Sequence, residues 1–363
     1  MEHASAIAIR QGAPGLKEVA AAGLSFSGDP GPLVPCKTLY VSLNGTDVSK
    51  VRSGAVKPPE GEGALILGKQ AAMERLDHPG VFVTIPTRQP CDGFAGCPAA
   101  SFCDRGLFRS TGSTRRHGAL QAAVLLIPER LLVELPVTEE QVRHAIWAQS
   151  LADACKAVEQ AVRLRRALAE DFLTRPCRPS GAGSTSVVFG AGKTGLALAA
   201  VLAPLGPVCA VDRAPAGSLR AAVARRLGAD YLQHEMGRAA LPAAQADLVF
   251  DTTGAAEAIP AAFRLARHCG CVVWFGFPQG REPVDTAFHG EQIDKQIVSV
   301  GCVGHEPRHV REAAGLLPRF IGLTGDLLDQ GTTVLPWSSL SPARLELALT
   351  SPGPLSVTVA MAR

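Results

Sequence analysis

The chain has 363 residues, 47% apolar and 19% charged, and its 36 Lys and Arg against 33 Asp and Glu leave a formal net charge of +3. Those values exclude a disordered tail, a collagen-like fibre and a basic protein that coats nucleic acid. With no one-signed field to steer DNA or an anionic membrane, the expected partner is a small polar molecule, with no nucleic acid and no membrane.

At roughly 150 residues per domain the length predicts two domains, each able to bury its own core. Met1-Glu2-His3-Ala4 carries an early acid and no Lys or Arg before an apolar core, unlike a secretory signal. No apolar run approaches the ~20 residues of a membrane helix. The expectation is a cytoplasmic protein whose ten cysteines are reduced thiols, either metal ligands or core residues.

Up to about residue 135 the chain alternates short β-branched or aromatic stretches with Gly and Pro, as in Thr38 to Leu43, Leu65 to Leu67, Val81 to Ile85 and Ala122 to Ile127. A compact, mostly β domain is predicted there. From Thr138 to about Glu170 the sequence is rich in Ala, Leu, Glu and Arg, and Thr138 with Gln141 predicts a capping box for one long helix or two short ones. Pro176 to Ser186 reads as a turn-rich linker. Beyond it, apolar strands at Ser186 to Phe189, Val208 to Val211, Leu248 to Asp251 and Cys271 to Phe275 alternate with Ala-rich amphipathic segments. That alternation predicts βαβ units and a parallel sheet.

Gly190-Ala191-Gly192-Lys193-Thr194-Gly195 follows the first of these strands and opens an Ala/Leu-rich segment, the context a dinucleotide-binding turn requires. Gly190 permits the tight turn, Gly192 lets a pyrophosphate approach the backbone, and Gly195 lets the helix pack on the sheet. Asp212 lies 22 residues after Gly190, at the end of the next strand. An acid there accepts the ribose hydroxyls of NAD and repels the 2′-phosphate of NADP, whereas the adjacent Arg213 can stack on adenine or bind that phosphate. NAD is therefore expected, with NADP left open.

Two other matches fail on their physics. Gly192-Lys193-Thr194 resembles the end of a phosphate-binding Walker loop, but Val187 stands where that loop needs its first Gly. His305-Glu306-Pro307-Arg308-His309 spells a zinc-protease motif, yet Pro307 forbids a helix interior and marks a helix start instead. The only tyrosines, Tyr40 and Tyr231, are followed four residues on by Asn44 and Glu235, which excludes the Tyr-Lys pair of short-chain dehydrogenases.

The β-rich first half, Ala148-Gln149-Ser150-Leu151-Ala152-Asp153, the dinucleotide fold, Asp251-Thr252-Thr253-Gly254 and Phe275-Gly276-Phe277 together resemble the medium-chain dehydrogenase/reductase superfamily, nearest its microbial glucose dehydrogenases. The resemblance spans nearly the whole chain. It implies an α/β protein with a GroES-like β-rich catalytic domain over residues 1–155, a Rossmann doubly wound NAD(P)-binding domain over 156–305, and a return of 306–363 to the catalytic domain. The active site is expected in the cleft between the two domains. Thr252, Thr253 and Phe275 join Gly190, Gly192, Lys193, Thr194, Gly195, Asp212 and Arg213 as expected cofactor contacts. Homo-oligomers, dimers or tetramers, are implied through the edge of the Rossmann sheet.

The departures from the family carry as much information. Zinc-dependent members carry Cys-Gly-Thr-Asp and then Gly-His-Glu, whereas this chain has Asn44-Gly45-Thr46-Asp47 and Gly68-Lys69-Gln70. An amide and an ammonium replace a thiolate and an imidazole, and an ammonium repels a cation. Gln149 remains at a ligand or substrate position. No catalytic zinc is expected. Of the four cysteines of the family's structural zinc lobe, Cys91, Cys97 and Cys103 remain and Phe94 holds the second place, so that only a substitute such as Asp92 could complete a site. Cysteines without structural zinc are expected, and the other seven read as small core residues.

Without the metal, Lys69 is expected to act as electrophile and as general acid/base, with Asn44 orienting the substrate and Thr46 passing the proton outward. A duller role has Lys69 filling the vacated space and pairing with Asp47, Glu74 or Asp153. Thr87, Ala122 and Gly304 stand where glucose dehydrogenases offer polar groups to the sugar, so glucose itself is not expected. Arg88, Gln89, His117, Gln149 and His305 leave a polar pocket open for a secondary alcohol or ketone of a sugar-, cyclitol- or amino-sugar-like metabolite. The competing readings are a zinc-free enone reductase, an NAD-assisted epimerase, and a catalytically silent nucleotide-binding homologue.

Overall fold

The computed structural model describes residues 4–24, 31–43, 45–87, 110–172 (for 168–172 the backbone alone), 184–234, 246–278, 286–351 and 353–361. In chain order, the described residues form β1 (Ser5–Arg10), β2 (Lys17–Ala20), β3 (Leu33–Leu43), α1 (Gly45–Ser53), β4 (Ala64–Ile66), β5 (Gln70–Arg75), β6 (Phe82–Thr84), β7 (Ser110–Thr111), β8 (Arg115–Arg116), β9 (Val124–Pro128), β10 (Val133–Glu134) and α2 (Ala148–Phe172). They continue as β11 (Ser186–Phe189), α3 (Lys193–Leu202), β12 (Val208–Asp212), α4 (Leu219–Arg226), β13 (Asp230–Gln233), β14 (Ala246–Asp251), α5 (Ala258–Leu265), β15 (Ala266–Trp274), α6 (Phe288–Asp294) and β16 (Val298–Gly301). The chain closes with α7 (Pro307–Gly331), β17 (Thr332–Pro336), α8 (Pro342–Thr350) and β18 (Ser356–Ala360).

Two compact units result: Met1–Ala152 with Gly304–Ile321 and Leu328–Arg363, and Asp153–Val303 with Gly322–Leu327. The first is β-rich and GroES-like. Its larger sheet runs β10-β6-β5-β3-β18-β17, with β9 also on β3, and a smaller sheet runs β2-β1-β4. In the tail, β18 pairs antiparallel with β3, Val357 opposite Leu43 and Val359 opposite Val41. Ile9, Leu65, Met73, Leu125 and Val359 are fully buried in one apolar cluster between these layers.

The second unit is a Rossmann domain. Its strands, all parallel, run β13-β12-β11-β14-β15-β16. Strands covered on both faces read as unbroken apolar runs, and every residue of β11 and β14 is buried. The order reverses between β11 and β14, the topological switch point at which such sheets bind ligands. At the opposite end of β14, buried Asp247 forms ion pairs through Oδ1 with the guanidiniums of Arg165 on α2 and Arg267 on β15, and accepts through Oδ2 from Thr185 N at 2.8 Å.

Two expectations need correction or qualification. The Thr138 box does not open an α-helix: Thr138 N donates to Gln141 Oε1 at 3.2 Å, but the Thr138 hydroxyl donates to Glu140 Oε2 at 2.8 Å. With that acceptor diverted, the first turns close tightly as a 3₁₀ stretch, Val142–Trp147, and α2 starts only at Ala148. The His-Glu-x-x-His segment does start a helix, with Pro307 in the first turn of α7, Glu306 as N-cap, and Glu306 N donating to His309 Nδ1 at 3.1 Å. The expected linker from Pro176 lies largely outside the described residues.

Candidate active site

In the Rossmann unit a cavity of about 970 Å³ opens at the switch point and is lined by Gly190, Gly192, Asp212, Arg213, Thr252 and Thr253 among others. Gly192 is the N-cap of α3 and supplies no side-chain acceptor, so the first-turn N–H groups face the cavity end uncapped by a side chain. Such a helix end suits a phosphate. Gly195 has no room for a side chain: a Cβ there would lie 1.8 Å from Gly190 O. Lys193 and Thr194 do not line the cavity with their side chains, and buried Lys193 contributes its backbone to the helix start. Phase errors of one residue also matter, because alternate strand residues face opposite sides: Trp274 and Gly276 line the cavity and Phe275 does not.

Asp212 ends β12 with both oxygens engaged, Oδ2 accepting from Ala191 N at 2.6 Å and Oδ1 from Ala214 N at 2.8 Å. Arg220 Nη1 is 3.7 Å from Oδ2, and Arg220 and His234 line the same cavity end as Arg213. Sequence reading missed these two, which lie on other elements of the fold. Asp251 holds the other turn: it accepts from Thr253 N at 2.9 Å, Thr253 Oγ1 at 2.6 Å and Gly254 N at 3.1 Å. Burial pushes its carboxyl above the usual range, against the pull of those hydrogen bonds. Thr252 Oγ1 donates to Phe189 O at 2.7 Å. Tyr231 Oη donates to Ala214 O at 2.8 Å and so braces the loop after Asp212.

In the β-rich unit, Lys69 lies in the bend between β4 and β5, half-buried, and its ammonium has no hydrogen-bond or ion-pair partner among the described residues. The alternative in which Lys69 pairs with Asp47, Glu74 or Asp153 is not seen among the described residues; Glu74 Oε1 accepts from Gly80 N. Thr46 stands half-buried in the first turn of α1, and Asn44 lies outside the described residues. Gln149, in the first turn of α2, is 1% exposed. Its Nε2 donates to Thr84 Oγ1 at 2.9 Å and Ile85 O at 2.5 Å, while Oε1 is buried with no partner among the described residues. The Gln149 amide oxygen and the Lys69 ammonium can each hydrogen-bond a hydroxyl-bearing molecule, and a zinc site would need three or four N, S or O ligands. Among the described residues no group of three or more His, Cys, Asp or Glu is placed to hold a metal.

Two of the remaining polar-pocket candidates have partners on the backbone. His117 accepts from Ile66 N at 3.2 Å and meets Glu62 Oε2 at 2.6 Å. His305, fully buried, accepts from Thr87 N at 3.2 Å through Nε2. Arg88, Gln89, Cys91, Cys97 and Cys103 lie outside the described residues. The described cysteines are free thiols, and burial pushes Cys36 up to about 11 and Cys271 up to about 12, as expected of inert core residues. No helix among the described residues is long and apolar enough to cross a membrane.

A sequence profile described as "Glucose dehydrogenase C-terminus" matches residues 149–338. The glucose 1-dehydrogenase of Thermoproteus tenax is 31% identical over 301 residues, 78% of this chain and 80% of that protein. That of Metallosphaera sedula is 29% identical over 252 residues, 66% of this chain and 67% of that protein. In three dimensions the chain is similar to Haloferax mediterranei glucose dehydrogenase, solved in complex with NADP, zinc and gluconolactone, with a TM-score of 0.78, 20% identity and coverage of 99% of each chain.

Proposed function

The chain belongs to the glucose dehydrogenase family of medium-chain dehydrogenases, and from that membership we propose a zinc-independent NAD(P)-dependent oxidoreductase of secondary alcohols and ketones on a sugar-, cyclitol- or amino-sugar-like metabolite. What supports the departure from zinc is Lys69, half-buried and unpaired among the described residues, at the position where the family resemblance puts a histidine ligand. The nicotinamide, when bound, accepts or returns the hydride. The chain's own residues do the rest. Gly190, Gly192 and the N-terminus of α3 hold the pyrophosphate. Lys69 donates to the substrate oxygen and stabilises it as an alkoxide, the charge a metal supplies in zinc enzymes. Asn44 orients the substrate, Gln149 Oε1 accepts one of its hydroxyls, and Thr46 relays the proton outward.

The test is turnover of a panel of polyols, cyclitols and amino sugars with NAD and NADP, before and after exhaustive dialysis against EDTA. Turnover that survives with no bound zinc supports the proposal. Loss of turnover that zinc alone restores overturns it.

The adenosine end fits both cofactors, because Asp212 is engaged by two amides while Arg213 and Arg220 line the same cavity. Charge-assisted hydrogen bonds contribute about 1.5–3 kcal/mol each, so the Arg213→Ala/Arg220→Ala variant is expected to weaken NADP binding by about tenfold or more. NAD affinity stays nearly unchanged in the same fluorescence titration. Equal losses for both cofactors would place the arginines on adenine instead of phosphate.

A further inference from the structure

The first turn of α2 carries an amide whose orientation is dictated by its neighbours. Gln149 Nε2 donates to two groups at the end of β6, Thr84 Oγ1 at 2.9 Å and Ile85 O at 2.5 Å. Both can only accept there. A backbone carbonyl has no hydrogen to give, and the Thr84 hydroxyl spends its one hydrogen on Ala71 O, 2.7 Å away on β5. Two acceptors side by side leave one orientation for the amide. The reverse would set the lone pairs of Gln149 Oε1 against the Ile85 carbonyl oxygen. The amide oxygen is therefore turned away from β6, buried and with no partner among the described residues. Thr84 is itself 1% exposed, so water does not compete for its hydroxyl. The same turn of α2 is tied to the strand that Lys69 precedes: Gln70 Nε2, at the start of β5, donates at 3.3 Å to the hydroxyl of Ser150, the residue after Gln149. All of these residues belong to the β-rich unit.

We propose that Thr84 is a specificity-determining positioning residue: by holding the Gln149 NH2 group it leaves only an acceptor for the substrate, and so selects molecules whose second polar group donates a hydrogen bond. The proposal rests on the reading of Gln149 Oε1 as the group that accepts from the substrate. A hydroxyl or a protonated amine satisfies that oxygen. A hydrogen, a keto oxygen or a carboxylate in the same place does not: the first leaves the oxygen buried and unpaired, and the other two set acceptor against acceptor. Among sugar-like alcohols, those that bring a second hydroxyl or an ammonium to Gln149 are taken, and their deoxy and keto analogues are refused.

The test uses the full-length protein, the best substrate of the polyol, cyclitol and amino-sugar panel, and its monodeoxy analogues. In the wild-type protein one analogue is expected to lose about thirtyfold in kcat/KM, the cost of leaving a buried acceptor unpaired; no loss with any analogue overturns the proposal. Thr84→Val keeps the volume and removes the hydroxyl, and is expected to shrink that preference about fivefold, the share of one neutral hydrogen bond. Thr84→Ser keeps the hydroxyl and is expected to keep the preference. An unchanged preference in Thr84→Val, or equal losses on parent and analogue, overturns the proposal, because a residue that only packs lowers all substrates alike. Gln149→Met separates the two readings. If it keeps the preference, Gln149 does not meet the substrate and both readings fall; if it abolishes the preference while Thr84→Val leaves it intact, the role of Thr84 alone falls.

A second measurement needs no substrate. With ¹⁵N-glutamine labelling the Gln149 NH2 pair is assigned by its loss in Gln149→Met, and its exchange with solvent is expected to quicken about tenfold in Thr84→Val and to slow again in Thr84→Ser. Unchanged exchange in Thr84→Val shows that Thr84 does not hold the amide, which overturns the proposal. Should Thr84→Val fail to fold, Thr84→Ala takes its place in both measurements with the same expected results.

Discussion

Replacing Lys69 by Met is expected to lower kcat by about a hundredfold to a thousandfold on any polyol or cyclitol that the wild-type protein oxidises, the cost of losing one preorganised donor at a developing oxyanion. Met keeps the bulk of the side chain and removes its charge. The change therefore isolates electrostatics from packing, and a half-buried site tolerates it without a large loss of stability. The residues that line the dinucleotide cavity all lie in the Rossmann unit, while Lys69 lies in the β-rich unit. Binding of NAD(P)H, followed by fluorescence, should be retained and serves as the control for folding. KM should change less than kcat, because the interaction strengthens as the oxygen gains negative charge. Unchanged kcat in this variant removes Lys69 from the mechanism.

Asp247→Asn is expected to cost about 3–5 kcal/mol of stability, because it leaves two guanidiniums on a neutral amide in the interior. In the native protein the side chains of Arg165 and Asp247 are 3% and 4% exposed, and Arg267 shares the same carboxylate oxygen. For a unit of this size the loss corresponds to a fall in Tm of about 10 °C, measured by calorimetry. Arg267→Ala supplies the contrast. Its guanidinium is 25% exposed and partly solvated, so its removal is expected to cost about 1 kcal/mol or less. Equal effects of the two substitutions would show that the cluster is held by packing and not by charge.

Much of the Rossmann unit was legible because its signals are local. The Gly190 to Gly195 turn, the acid at Asp212 and the apolar runs of β11 and β14 each need only neighbouring residues to be read, since backbone closeness and burial on both faces dictate residue type directly. Pro307 was decisive for the same reason: a residue without an N–H belongs in the first turn of a helix, which is where α7 begins. Other readings failed where one residue of phase or one competing acceptor decides. Trp274 lines the cavity in place of Phe275, and Glu140 takes the hydroxyl that was to cap a helix at Thr138. His117 and His305, which the sequence left open between a substrate pocket and a structural role, accept from the backbone amides of Ile66 and Thr87.

Composition, periodicity and local turn chemistry by themselves pointed to a β-rich domain and a dinucleotide fold in this chain. Only the tertiary structure decided what each polar group is paired with: that Lys69 lacks an ion-pair partner among the described residues, that buried Lys50 donates to Ser113 Oγ and Gly112 O, and that Asp247 gathers Arg165 and Arg267 from two other elements. The physical reason is range. Propensity and backbone sterics act over a few residues, whereas the energy of a buried charge depends on groups that the chain brings together from tens of residues away.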